Sequence, residues 1–134
     1  MARILIVEDD TATATFVQDV LQAAKKKYYQ STWEMRFDHA KSAAEALKYI
    51  ETRNYELVIT DILMAKMDGW ELIKVLRKDK SRSQLPVLVI TAIDGIDIRY
   101  ESIRRGATDG FAKPIKGDEL KRFIKVVFNL ILER

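Results

Sequence analysis

The chain contains no cysteine. That removes disulfides, thiolate catalysis and cysteine-ligated zinc or iron–sulfur sites, and it is compatible with a reducing compartment. No apolar run approaches the roughly 20 residues that span a bilayer. Met1-Ala2-Arg3 leads directly into the short apolar run Ile4-Leu5-Ile6-Val7 rather than into the longer core of a signal peptide, so no membrane association and a cytoplasmic location are expected. Charge of one sign is also scarce. The formal net charge is +3, and basic groups are interspersed with acidic ones except at Lys25-Lys26-Lys27, so direct nucleic-acid binding is not expected. The single histidine, His39, has no partner at metal-ligand spacing and reads as a surface or edge residue without a role. No Walker motif is present, and the loop after the first apolar run is acidic where a phosphate-binding loop would be glycine-rich.

What is present fits one domain spanning residues 1–134, with 48% apolar and 32% charged residues and no repeat, linker or low-complexity segment. Ile4–Val7 reads as a strand buried on both faces. Thr11 to about Lys27 reads as a helix, with Phe16, Val17, Val20, Leu21 and Ala24 at helical spacing toward the core. Lys25 to Trp33 combines lysines with aromatics and reads as an extended helix end or a loop, with the lysines favouring a helix's negative end and the aromatics covering the core edge. A strand is expected at Glu34–Asp38. Ser42, with Glu45 at capping-box spacing, opens a second helix whose buried stripe is Ala43, Ala46, Leu47 and Ile50.

Glu56–Thr60 is a short β-branched strand ending at Asp61. Asp68-Gly69 reads as a turn before a helix carrying Leu72, Ile73 and Leu76. Pro86–Ile90 is a further strand ending at Thr91-Ala92. A short helix over Ile98–Arg105 closes at Gly106, and a strand over Thr108–Ala112 ends at Lys113-Pro114. Asp118 is read as the cap of the last helix, which carries Leu120, Phe123, Ile124, Val127, Phe128 and Ile131. Alternating strands and helices of this kind predict an α/β fold, a doubly wound parallel sheet covered by helices on both faces.

In such a sheet the strand ends converge on one crevice. Here they carry Glu8 and Asp9, then Asp61, then Thr91, then Lys113. Carboxylates held together repel unless a cation sits among them, and a hard divalent ion with few protein ligands suits that setting. Lys113 supplies a mobile positive charge and Thr91 a hydroxyl donor, both suited to a tetrahedral anion. The chemistry implied is attack by an Asp61 oxygen on phosphorus, giving an aspartyl phosphate.

These stretches, Ile4-Leu5-Ile6-Val7-Glu8-Asp9-Asp10, Asp61-Ile62-Leu63-Met64 with Met67-Asp68-Gly69, Val89-Ile90-Thr91-Ala92, and Gly106-Ala107 through Lys113-Pro114, resemble the receiver domains of two-component response regulators along essentially the whole chain. The resemblance implies a five-stranded sheet of flavodoxin-like order 2-1-3-4-5. It implies Asp61 as phosphoacceptor, charged by a sensor histidine kinase or histidine phosphotransfer protein. Asp9, Asp61 and the backbone carbonyl of Leu63 resemble the ligands of Mg²⁺ or Mn²⁺, with Glu8 assisting. Thr91, followed by Ala92, resembles the hydroxyl that reports on the phosphoryl group, Lys113 its ion-pair partner, and Pro114 the family proline with a cis peptide bond before it. The function implied is a phosphorylation-activated switch with at most slow autodephosphorylation. It would act on a partner or output domain through the fourth helix, fifth strand and last helix, a surface that could also serve a homodimer.

The sequence departs from that family in two places. Ala65-Lys66 stands where Pro-Gly is usual. Gly110 stands where the family places the Tyr or Phe that swings with Thr91, and neighbouring Phe111 faces the other side of its strand, so it replaces that residue only with a bulge or register change. The switched surface is expected to carry Arg104, Arg105, Lys121, Arg122 and Lys125. A phosphatase using an aspartyl-phosphate intermediate would need a second carboxylate where Leu63 stands. A flavin- or nucleotide-binding module is opposed by the acidic first loop. A receiver-like interaction module that signals without phosphorylation is the alternative that Gly110 keeps open.

Overall fold

Three apolar runs lie buried along their full length in the centre of one parallel sheet, as a strand covered by helices on both faces requires. The computed structural model describes residues 1–29, 33–64, 67–79, 82 and 84–132. In chain order the elements are β1 (Ala2–Val7), α1 (Thr11–Tyr28), β2 (Met35–Ala40), α2 (Ala43–Thr52), β3 (Leu57–Thr60), α3 (Gly69–Lys78), β4 (Val87–Thr91), α4 (Ile98–Arg104), β5 (Asp109–Ala112) and α5 (Gly117–Leu132). The sheet order is β2-β1-β3-β4-β5, every pairing parallel, which is the doubly wound α/β arrangement expected from the sequence.

Alternation along the strands divides the core into two layers. Ile4, Ile6, Ile59, Ile90 and Phe111 pack with Val17, Leu21, Phe123 and Val127 of α1 and α5. Leu5, Val7, Val58, Val87 and Val89 pack with Ala46, Ile50, Leu72, Ile73 and Ile98 of α2, α3 and α4. Phe111 meets Phe123 edge-on, with ring centroids 5.2 Å apart.

Local chemistry sets the element ends. Ser42 Oγ accepts the Glu45 amide, as its spacing predicts. Gly106 closes α4 at φ +102°, a conformation that an L side chain resists. Lys25, Lys26 and Lys27 lie in the last turn of α1, where they complement its negative end. Tyr29 stacks on Phe128 with centroids 4.0 Å apart, so the basic and aromatic stretch closes the core edge. Within that stretch residues 30–32 lie outside the described residues, as do Ala65 and Lys66.

Several local expectations need correction. β2 runs to Ala40, not Asp38, because parallel pairing with β1 carries it on to the Val7–Ala40 register. Phe16 is 46% exposed, since only Ala14, Val17, Leu21 and Ala24 of α1 are buried against the sheet. Asp68 caps α3 by accepting the Glu71 amide, and Gly69 is already helical, so the pair is a helix start and not a separate turn. Asp118 lies inside the first turn of α5, whose Leu120 amide bonds the Lys116 carbonyl; its charge suits that end without capping it.

The outer strand β5 is bonded to side chains as well as to β4. The Gly110 amide donates to Asp109 Oδ1 (2.8 Å), the Ala112 amide to Glu119 Oε2 (3.2 Å), and Arg122 donates to the Gly110 carbonyl (2.7 Å). The arginines expected to form a basic face are largely spent in such contacts. Arg104 and Arg105 both bond Glu101, and Arg122 bonds Glu119 and Asp109. Lys121 and Lys125 remain exposed.

Candidate functional site

Lateral backbone bonds hold the strand ends that form the crevice. The Glu8 amide donates to Ala40, that of Asp61 to Val7, and that of Lys113 to Thr91. Residues just beyond three different strands are thereby fixed side by side, and their side chains meet. Lys113 Nζ donates to Glu8 Oε1 at 2.7 Å and to Asp61 Oδ2 at 2.6 Å. The other Asp61 oxygen, Oδ1, accepts the amides of Ile62 (2.6 Å) and Leu63 (3.0 Å), which fixes the carboxylate's orientation.

Gly69 lets α3 reach this corner. A Cβ there would stand 2.3 Å from the Asp61 carbonyl oxygen and 2.9 Å from Ile62 Cα, so only glycine allows the helix to start against the Asp61 backbone.

Electrostatics follow from burial. Glu8 is 4% exposed and Asp61 6%. Desolvation, assisted by the charge of Asp61, raises the Glu8 carboxyl to about 7, against the opposing pull of Lys113. Burial disfavours the Lys113 ammonium, but its bonds to Asp61 and Glu8 outweigh that and raise its pKa.

Thr91 is wholly buried, and its Oγ1 has no hydrogen-bond partner among the described residues. The peptide bond between Lys113 and Pro114 is cis. Beside Lys113 opens a groove of about 600 Å³ lined by Thr13, Phe16, Val17, Ala92, Pro114 and Ile115 among others, which accounts for the exposed Phe16.

The residues singled out from the sequence divide accordingly. Glu8, Asp61 and Lys113 come together. Asp9 is exposed, and no group of three acids, histidines or cysteines able to hold a metal converges among the described residues. Asp10 caps α1 through the Ala12 amide and the Thr13 hydroxyl. Phe111 is buried with α1 and α5, whereas Gly110 faces α4, where Ser102 stands against it.

Two contacts escaped the sequence reading. His39 lies within β2 with Nε2 2.6 Å from the Glu8 carbonyl oxygen, and Ser102 fills the space over Gly110. A lone histidine gives no sign of a bond spanning 31 positions.

The two buried carboxylates are suited to a hard cation. One lysine does not offset their proximity and burial, as the raised Glu8 shows. Two carboxylates, with water in the remaining positions, suit the way Mg²⁺ is commonly held.

The profile of the response regulator receiver domain matches residues 4–125. The chain belongs to the response regulator receiver domain family. Among curated relatives, the heme response regulator HssR of Staphylococcus saprophyticus is 31% identical over 127 residues, covering 95% of this chain and 51% of that protein. The transcriptional regulatory protein ZraR of Klebsiella oxytoca is 32% identical over 118 residues, 88% of this chain and 24% of that protein. The chain thus spans between a quarter and about half the length of these relatives.

Among solved structures, the HemR receiver domain of Leptospira biflexa in its non-phosphorylated form aligns with a TM-score of 0.75 and 27% identity, over 98% of this chain and 94% of that one. The chemotaxis response regulator CheY4 of Vibrio cholerae also aligns with a TM-score of 0.75, at 25% identity over 95% of this chain and 98% of that one. Receiver domains are signalling domains rather than enzymes of separate substrates. Response regulators work with sensor histidine kinases and output domains, which supports phosphorylation-dependent signalling for this receiver domain. No described helix is long and apolar enough to cross a membrane.

Proposed function

We propose that Asp61 accepts a phosphoryl group from a histidine kinase or histidine phosphotransfer protein. The carried charge then alters the surface formed by α4, β5 and α5, to control a partner or output domain. In the transfer an Asp61 oxygen forms a bond to phosphorus as the bond from phosphorus to the donor's imidazole nitrogen breaks, and that nitrogen keeps the electron pair. Asp61 Oδ1 already accepts two amides, so Oδ2, bonded to Lys113, is the oxygen available for attack.

Lys113 then stays beside the new anion, and the unpartnered Thr91 hydroxyl gains an acceptor. Glu8, Asp61 and the Leu63 carbonyl, with Asp9 near in sequence, would hold Mg²⁺ or Mn²⁺, which supplies positive charge to the phosphoryl oxygens during transfer. Leu63 is apolar where a phosphatase of this kind needs an acid–base carboxylate, in keeping with a switch that turns over slowly on itself.

The observation that carries the reading is the Asp61 carboxylate, 6% exposed, aimed by two amides and bonded to Lys113 from another strand. Intact-protein mass after incubation with acetyl phosphate and Mg²⁺ tests it, with Asp61→Asn in parallel. A gain of about 80 Da in the native chain that requires Mg²⁺ and is absent from the variant is expected. No gain with acetyl phosphate or with a kinase donor would favour an interaction module that signals without phosphate.

A further inference from the structure

α4 rests directly on the backbone of Gly110. A Cβ at that position would lie 2.3 Å from Ser102 Oγ, 2.8 Å from Ser102 Cβ and 2.6 Å from the carbonyl oxygen of Ile98. Rotation of Ser102 cannot relieve this, because Ile98 O belongs to the helix backbone. Any side chain on residue 110 therefore displaces α4 itself.

A second observation lies under the same helix. Among the described residues, Thr91 Oγ1 and Ser102 Oγ are the buried side-chain polar atoms without a hydrogen-bond partner. Both residues are fully buried. Thr91 continues the face of Val87 and Val89, the layer that α2, α3 and α4 cover. It pairs with Ala112, while Val89 pairs with Gly110. Thr91 thus lies on the α4 side of β4, and Ser102, from α4, stands on that side over Gly110 of the adjacent strand; each hydroxyl bears a desolvation cost that a change of conformation can recover.

We infer that Ser102 and Gly110 form the coupling seat of this receiver domain. With no β5 side chain to rotate, movement of Thr91 is passed to the buried hydroxyl of Ser102, and α4 shifts as a body. This rests on Asp61 being the phosphoacceptor, since the phosphoryl oxygen is what draws Thr91 away from the helix. The device differs from a swinging aromatic in its moving part. Its output is the position of α4, including the exposed Ile96, Tyr100 and Ile103 on and beside it.

The structure contains a reporter of that position. Arg105, at the C-cap of α4, lies with its guanidinium 4.8 Å from the ring centroid of Trp70 on α3. In a Trp33→Phe background, emission from Trp70 follows the separation of the two helices. Acetyl phosphate with Mg²⁺ should shift that emission in parallel with the mass gain on Asp61. Gly110→Ala, which pushes α4 off the strand, should change the emission without any phosphodonor, and so should Ser102→Val, which enlarges the same contact from the helix side and serves if Gly110→Ala does not fold. Ser102→Ala should take up phosphate to the native extent yet lose most of the emission change.

Full retention of the change in phosphorylated Ser102→Ala would overturn the inference. So would native emission from folded Gly110→Ala and Ser102→Val without phosphodonor. A native chain that gains no mass would instead remove the phosphoacceptor reading, and the two enlarged variants would still decide whether the seat fixes α4.

Discussion

Lys113 Nζ lies 2.6 Å from Asp61 Oδ2, an ion pair joining residues 52 positions apart, and the same ammonium bonds Glu8. Replacing Lys113 by Ala leaves two buried carboxylates facing each other without a counter-charge. The variant should lose about 1–3 kcal/mol of stability at neutral pH. Because the lysine no longer competes for the two oxygens, Mg²⁺ should raise the unfolding temperature of Lys113→Ala more than that of the native chain. Equal Mg²⁺ shifts in thermal melts would count against the acids as the cation's site.

Glu8 sets a pH dependence of definite sign. Its carboxyl rises from 4.5 to about 7 on folding, so the folded chain holds this proton more tightly than the unfolded chain. The resulting penalty is absent below the unfolded value of 4.5, grows as pH rises, and is complete above about 7. Stability should therefore decline across that window as far as this group is concerned. Glu8→Gln should flatten the slope in melts at stepped pH. In the native chain Mg²⁺ should also bind more tightly as pH passes 7. An unchanged slope in Glu8→Gln would refute the assignment.

Leu63 follows the Asp61 loop and is 54% exposed. An apolar side chain at the mouth of the site neither orients nor hydrogen-bonds a water that would hydrolyse an aspartyl phosphate. Leu63→Asn should shorten the phosphate lifetime by about three- to tenfold, a barrier change of at most about 1.4 kcal/mol. The decay of the mass-shifted species after removal of acetyl phosphate reads this directly. Identical decay would show that residue 63 does not govern water access.

Gly69 tolerates no side chain, because the atoms nearest to a methyl group at that position include the Asp61 carbonyl oxygen and Ile62 Cα, both backbone. Gly69→Ala should cost about 1–3 kcal/mol, as overpacking does, and slow phosphorylation by displacing the loop that aims Asp61. Urea melts and a time course of mass gain measure the two effects. A variant as stable and as rapidly phosphorylated as the native chain would contradict the packing argument.

Much of this architecture was legible because local composition and tertiary role agree. Ile4–Val7, Leu57–Thr60 and Val87–Ile90 are apolar at every or nearly every position, which only interior strands of a covered sheet require. Of the strand-end set Glu8, Asp9, Asp61, Thr91 and Lys113, the structure brings Glu8, Asp61 and Lys113 into contact because the topology places strand ends together, while Asp9 is exposed. Less visible was what long-range pairing decides. β2 is an outer strand of mixed polarity, so its end depends on its register with β1 rather than on its own residues. Phe16 fits the helical stripe yet lines the groove next to Pro114, an exposure set by residues distant in sequence. The missing aromatic at Gly110 was evident. That Ser102 stands in its place depends on how closely α4 approaches, and no periodicity encodes that distance.

The side chains that reach β5 bear on how this domain can assemble. An outermost strand normally presents free amides and carbonyls on which another chain can lay a strand of its own. Here the Gly110 amide, the Gly110 carbonyl and the Ala112 amide are already taken by Asp109, Arg122 and Glu119. A second copy could extend the sheet at this margin only by first breaking charged contacts that α5 and β5 make within the molecule. Edge-to-edge polymerisation through β5 therefore has to compete with bonds the molecule already makes to itself.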